Sequence, residues 1–388
     1  MVQDKKRVAI IGGGPSGCAC AYFLKNYFDV TIFDISKPLL TLLPTGGGRC
    51  NLAHNDFDIK ELASNYPRGE KFLYSVFSKF ATDDTLKMFE EMGVKTYIQD
   101  DGRIFPTSDS SSNVREKFLA SLFKSPNRII FIQEKVLDLK INEGIKVLTK
   151  GGSYCFDFVV VAVGGHSGYN VASSLEIKVI EPKPALTGLV TKQNFSQLSG
   201  ISIKNVSCNK FGQGDILFTH NGVSGPLIYK ISSLNARKNF PYKLKFTFAK
   251  IENFQELLNC NSQKDIQNVL SEFLPKSFAL YILEYIKIPL NTKCHKITGK
   301  MRDSILNEIE NFEVEIVGCN KSGEVVTSGG VDLNEINPKN MESKKVKNLY
   351  FIGEVLDIDG FCGGYNLQNC WSTAYVCAKG IIEKVENE

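Results

Sequence analysis

The run Gly12-Gly13-Gly14-Pro15-Ser16-Gly17 has the spacing G-x-G-x-x-G. It follows an apolar stretch from Arg7 to Ile11 that reads as a buried strand, and it opens residues 16–26, which read as a helix. Gly12 lets the chain turn sharply. Gly14 removes a side chain that would block a pyrophosphate. Gly17, with the small Cys18, Ala19 and Ala21, lets the helix pack close to the sheet. Pro15 and Ser16 stand where the helix begins, and its N-terminal N–H groups and partial positive charge suit phosphate oxygens. Asp34 closes the next apolar run, residues 30–34, where a carboxylate can accept from ribose hydroxyls. Together these are the βαβ context of a dinucleotide site, shared by NAD- and FAD-binding chains.

Three further segments narrow the ligand. In Pro44-Thr45-Gly46-Gly47-Gly48-Arg49-Cys50-Asn51, bare backbone can approach a flat or charged group beside the Arg49 guanidinium. The Val/Ala run 158–163 ends in Gly164-Gly165-His166, as a second ligand-facing strand would. From residue 348 an apolar run ends in Gly353-Glu354. It continues through Asp357 to Gly363-Gly364-Tyr365-Asn366-Leu367-Gln368, which opens a long helix. An acid there can hold a ribityl chain. N–H groups at Gly364, Tyr365 and Asn366 can face the N1–C2=O region of a flavin, where the reduced ring carries negative charge. A chain that binds only NAD has no use for this last element, so FAD is the expected cofactor.

Residues 1–185 and 332–388 read as one α/β domain, its sheet completed by the terminal strand and helix. Residues 186–250 and 311–331 alternate apolar and polar with period two, as at Tyr242, Leu244 and Phe246, and read as an antiparallel β domain. Residues 251–310 carry helical spacing and read as a helical insert. The expected fold class is therefore α/β, a Rossmann-like FAD domain interrupted by a barrel-like β domain that carries the insert.

Composition excludes several classes. The chain has 388 residues, 43% hydrophobic and 23% charged, which excludes a disordered or fibrous chain. No apolar window reaches the length of a membrane helix, and Gly12–Gly14 break up what would otherwise pass for a signal peptide. Eleven cysteines without CxxC spacing suit a reduced, cytoplasmic chain. The four histidines form no metal-ligand pattern, so no metal is expected. The net charge of +4 and the acidic stretch 308–315 argue against a nucleic-acid partner.

The motifs resemble those of the BaiN/RdsA-type bacterial flavoproteins, the aminoacetone-oxidase and bile-acid-reductase-like NAD(P)/FAD-dependent oxidoreductases. The matching blocks are residues 10–17, 45–51, 101–106, 214–226, 327–331, 341–344 and 350–368, in family order. The resemblance implies FAD contacts at the Gly12–Gly17 turn, at Asp34, at Gly47, Gly48, Arg49, Cys50 and Asn51, at backbone near Val136, and from Glu354 to Gln368. Asp34 stands where Glu is commoner, and Cys362 where Thr is frequent, as a reactive thiol or a small filler. It also implies hydride transfer through flavin N5, with NADH or NADPH docking transiently and a small organic substrate, enone-like, steroid-like or amine. Arg49, Cys50, Arg103 and His220 are the candidates for the substrate cleft. His220 either moves a proton or caps its turn; Cys50 is either activated by Arg49 or a buried inert thiol. An RNA-modifying flavoenzyme and a non-catalytic flavin protein are the alternatives, and the oligomeric state stays open.

Overall fold

The computed structural model describes residues 6–165, 168–320 and 326–387. His166 lies outside them. The chain divides into two compact units, Met1–Lys183 with Val326–Glu388, and Pro184–Val325.

The first unit is built on a five-stranded parallel sheet. Its strand order is Leu349–Phe351, Phe158–Val161, Arg7–Ile11, Asp29–Phe33, Ile129–Ile132. The central strands are apolar because both faces are covered; every residue of Phe158–Val161 is buried. Helix Pro15–Leu24 packs closely along the terminal helix Tyr365–Glu386, and its Gly17, Cys18, Ala19, Cys20 and Ala21 are all buried. Small side chains permit that approach. Trp371 of the terminal helix is fully buried and donates its Nε1–H to the Leu52 carbonyl at 3.0 Å, pinning the loop that precedes strand Ala53–His54. That strand, with Arg103–Pro106 and Thr96–Ile98, forms a small antiparallel sheet. A second one joins Val136–Ile141, Ile145–Thr149 and Ser153–Phe156. Helices Ile59–Ser64 and Glu70–Phe77 were not read from the pattern; Asp58 caps the first by accepting from Lys60 and Glu61 N–H.

The second unit is a six-stranded sheet in the order Ser202–Cys208, Gly212–Thr219, Gly222–Ser224, Leu189–Thr191, Phe312–Cys319, Tyr242–Phe246. Reciprocal bonds between Ser207 and Thr247, 2.8 and 2.9 Å, join its two ends, so the sheet curls into a barrel-like form. Tyr242–Phe246 alternates buried and exposed as its period-two pattern requires.

Two boundaries differ from the sequence expectation. Val326–Val331, placed with the β domain, belongs to the first unit, where it pairs with Val179–Ala185. Its Ser-Gly-Gly carries no alternation, and all six residues are buried. The helices between residues 254 and 310 share one core with the barrel: Phe278 meets Phe248 at 4.4 Å and Phe312 at 6.1 Å. A segment of under about 60 residues is marginal as an independent core. Among the described residues no helix is long and apolar enough to cross a membrane.

Candidate cofactor site

Parallel strands bring all their carboxyl ends to one edge, and ligands of open α/β sheets bind there. Gly12–Gly17 follows Ile11, Asp34 follows Phe33, Val136 lies just beyond Ile132, Gly164 follows the Phe158–Val161 strand, and Gly353-Glu354 follows Phe351. These five segments thus meet on one edge. Asp34 and Glu354 sit three strand spacings apart, about 14 Å, and the fingerprint turn lies between them.

The two ends of the chain touch. A Cβ on Gly353 would lie 2.5 Å from Ser16 Oγ, and the Gly353 N–H donates to Thr373 Oγ1 at 3.0 Å. Glu354 Oε1 accepts from the Thr327 N–H at 2.9 Å, which holds the carboxylate at the edge. Gly364 precedes the terminal helix with φ +100, and a Cβ there would lie 2.4 Å from the Ala53 carbonyl oxygen, so only glycine fits. This close approach ties the Gly-rich turn to the end of the Thr45–Asn51 loop.

Asp34 already works within the chain. Its Oδ2 accepts from Gly13 N–H at 2.6 Å, and its Oδ1 from Ser36 N–H and Oγ at 2.8 and 2.9 Å. A carboxylate offers about four acceptor positions, so one remains for a ribose hydroxyl. The helix after Gly14 has no side-chain cap, and the position of a Gly14 Cβ meets only Thr41 Oγ1, at 3.5 Å. Its N-terminus is therefore an open anion seat.

The Thr45–Gly48 turn bends through left-handed conformations at Gly46 and Gly47, and Cβ positions on Gly47 and Gly48 meet nothing within 4 Å. Asn51 is buried, and its Oδ1 has no hydrogen-bond partner. A buried acceptor left bare is destabilising. A flavin offers an N–H at its pyrimidine edge and hydroxyls on its ribityl chain, so the residues present fit FAD.

Other assignments change. Gln368 is fully buried; it accepts from Thr85 Oγ1 at 3.0 Å and donates to Ser372 Oγ at 2.9 Å, so its side chain serves the core. Asn366 exchanges both its side-chain groups with the Gly360 backbone, each at 2.9 Å. For these two the side-chain polar groups are taken up within the chain. The Cys50 thiol is fully buried, and burial pushes its pKa up to about 12, which fits the buried inert thiol and not activation by Arg49. Arg49 points elsewhere: its guanidinium lies 4.1 Å from the Phe105 ring centroid and 3.9 Å from Asp109. Arg103 pairs with Asp101 at 2.7 Å and lies over the same ring at 5.6 Å. Cys362 is exposed, just before the Gly363-Gly364 turn. His220 is exposed on a hairpin of the second unit, whereas Arg49, Cys50 and Arg103 belong to the first.

The structure adds a cluster that the sequence reading missed. Asp56 Oδ2 accepts from Tyr365 OH at 2.8 Å and from Asn65 Nδ2 at 3.0 Å, and its Oδ1 lies 3.2 Å from His54 Nδ1. The His54 ring stacks on Tyr365 with centroids 4.8 Å apart. Tyr66 OH donates to the Tyr365 carbonyl at 2.6 Å. Residues far apart in the chain build it, and only the TGGGRCN loop just upstream of His54 pointed there.

The chain matches the HI0933-like protein Rossmann domain over residues 6–380. It belongs to that family. Among curated relatives it is 27% identical over 395 residues to the ribosomal RNA dihydrouridine synthase of Escherichia coli, covering 96% of this chain and 97% of the relative. It is 28% identical over 417 residues to the 3-dehydro-bile acid delta(4,6)-reductase of Clostridium scindens, covering 97% and 99%. Among solved structures, 3-ketosteroid delta1-dehydrogenase from Sterolibacterium denitrificans matches with TM-score 0.51 and 11% identity, covering 98% of this chain and all of the other. That likeness speaks to fold. This HI0933-like chain is a flavin-dependent oxidoreductase with a Rossmann-type FAD-binding fold, of the BaiN/RdsA type anticipated from its motifs.

Proposed function

We propose that this protein reduces a carbon–carbon double bond conjugated with a carbonyl, taking hydride from NADH or NADPH. The observation that carries the reading is the meeting of both chain ends at one sheet edge, with an uncapped helix between the two acids, beside a loop of open glycines and a bare Asn51 acceptor. Bound there, FAD supplies the two-electron hydride chemistry. The chain's part is to seat phosphates at the helix after Gly14, to hold the ribose and ribityl groups at Asp34 and Glu354, and to present N–H donors from the terminal helix. One NAD(P)H and one proton reduce one double bond, giving NAD(P)+ and the saturated carbonyl compound.

The substrate class follows from what the relatives share. A uridine ring and a delta(4,6) 3-keto steroid differ in size, but each carries a C=C bond conjugated with a carbonyl, and both relatives' names describe its saturation. With a single dinucleotide fingerprint in the chain, the nicotinamide docks transiently.

An RNA substrate is a second reading, favoured by two observations. Another relative, from Haemophilus influenzae, 29% identical over 401 residues, is also a ribosomal RNA dihydrouridine synthase. The net charge of +4 also conceals segregation: residues 184–250 carry nine Lys and Arg, among them Lys204, Lys210 and Lys230, against the single Asp215. That weakens the argument from mild overall charge. The eleven free thiols support a reducing, cytoplasmic setting.

The test is anaerobic oxidation of NADH and NADPH by the FAD-loaded protein. Small cyclic enones are offered in one arm and ribosomal RNA lacking dihydrouridine in the other. Enone-dependent turnover supports a small-molecule enzyme, and RNA-dependent turnover supports the second reading. Flavin that nicotinamides cannot reduce would refute both and leave a non-catalytic flavin protein.

A further inference from the structure

Residues 356–364, which lead from Glu354 to the terminal helix, belong to no helix or extended strand. No ladder of their own fixes their path, so other parts of the chain must satisfy and place their backbone. The loop of residues 65–69, between helices Ile59–Ser64 and Glu70–Phe77, does so. The Asn65 carbonyl accepts from the Phe361 N–H at 3.0 Å. Tyr66, 1% exposed, donates its hydroxyl to the Tyr365 carbonyl at 2.6 Å, and its ring meets the Tyr365 ring edge-on at 5.9 Å. Arg68 and Asp359 face each other in an antiparallel bridge, and the Arg68 guanidinium binds both oxygens of the fully buried Asp359 carboxylate. The fit between the two stretches is close. A Cβ on Gly69 would lie 2.7 Å from Ile358 Cγ1, and one on Gly360 would lie 3.0 Å from Tyr66 Cε1.

We propose that Arg68 and Tyr66 are positioning residues for the cofactor: through Asp359 and Tyr365 they hold the Gly363-Gly364 turn in the form that receives the ring half of FAD. The proposal rests on the reading above, in which N–H groups at the start of the terminal helix face the flavin. The two anchors flank the turn, Asp359 just before it and Tyr365 just after it. A buried ion pair is a weak source of net stability, because both charges give up their water. Its two parallel bonds nevertheless admit one relative placement of the backbones that carry them. Asn366 closes the same stretch from the helix side by bonding Gly360 twice, so a displacement at Asp359 passes to the turn.

The test titrates the FAD-free protein with two ligands. FAD engages both halves of the edge, whereas ADP carries the adenosine and phosphates alone. Arg68→Gln weakens FAD about tenfold, the loss of one well-aligned donor at the turn, and leaves ADP affinity at the wild-type level. Arg68→Lys keeps the charge without the fork and does not restore FAD affinity. Tyr66→Phe removes only a hydroxyl from a ring that stays buried; it weakens FAD about threefold and spares ADP. If Arg68→Gln does not fold, because Asp359 is left charged and buried, Tyr66→Phe decides. A merely structural role would shift the denaturant melts and leave the folded protein's ratio of FAD to ADP affinity unmoved. Wild-type FAD affinity in the folded variants, or FAD and ADP affinities falling in step, overturns the proposal. A wild-type protein that binds FAD no more tightly than ADP overturns the reading beneath it instead.

Discussion

Gly14→Ala separates a glycine kept for a ligand from glycines kept for the fold. Gly14 has φ −75 and ψ −170, which any residue adopts, and the nearest atom to an added Cβ is Thr41 Oγ1 at 3.5 Å, an ordinary contact. The FAD-free protein should accept the methyl within about 0.5 kcal/mol, or gain up to about 1 kcal/mol from a less flexible unfolded chain. The methyl occupies the space through which a pyrophosphate reaches the helix N-terminus. Losing one charge-assisted hydrogen bond there costs about 1.5–3 kcal/mol, a ten- to hundredfold weaker affinity. Gly12 and Gly17 are opposite in kind. Gly12 has φ +109 with a Cβ position 2.2 Å from the Ala162 carbonyl oxygen, and a Cβ on Gly17 would lie 1.9 Å from the Gly12 oxygen. Their alanine variants should destabilise the apoprotein by several kcal/mol, about 3 or more. Denaturant melts of FAD-free protein and fluorescence-quenching titrations with FAD read the two quantities separately. Wild-type FAD affinity in Gly14→Ala would refute the placement of the phosphates.

The bare Asn51 acceptor makes the same kind of claim: Asn51→Ala should leave the apoprotein unchanged or about 1 kcal/mol more stable, while titration shows weaker FAD binding. Since burial pushes the Cys50 thiol up to about 12, the thiolate fraction at pH 8 is about one in ten thousand. Mass spectrometry after iodoacetamide should therefore find Cys50 unmodified, its labelling rising only as pH climbs toward that value, and rapid alkylation at pH 8 would contradict its burial. The fully buried Asp359 pairs with Arg68, so Asp359→Asn should destabilise the fold by about 3–5 kcal/mol in a denaturant melt.

Local sequence determined the elements whose cause is local. The strand before Gly12, the helix after it and the acid after the next strand are set within a few turns of chain, because backbone sterics and apolar periodicity act at short range. The β period of Tyr242–Phe246 and the long terminal helix were legible for the same reason. Helices Ile59–Ser64 and Glu70–Phe77 were not: they are short, and tertiary burial rather than periodicity sustains them. Which side chains face the cofactor edge was also not local. Gln368 and Asn366 lie in the predicted segment, yet Thr85, Ser372 and Gly360 take up their polar groups, and nothing in the motif announces those partners. The His54–Asp56–Tyr365 cluster joins residues about 300 positions apart, as the Tyr365–Asp56 hydrogen bond spans 309. A sequence motif reports the backbone conformation a site needs; the charge and proton arrangement around it is decided when distant side chains must satisfy one another in a space closed to water.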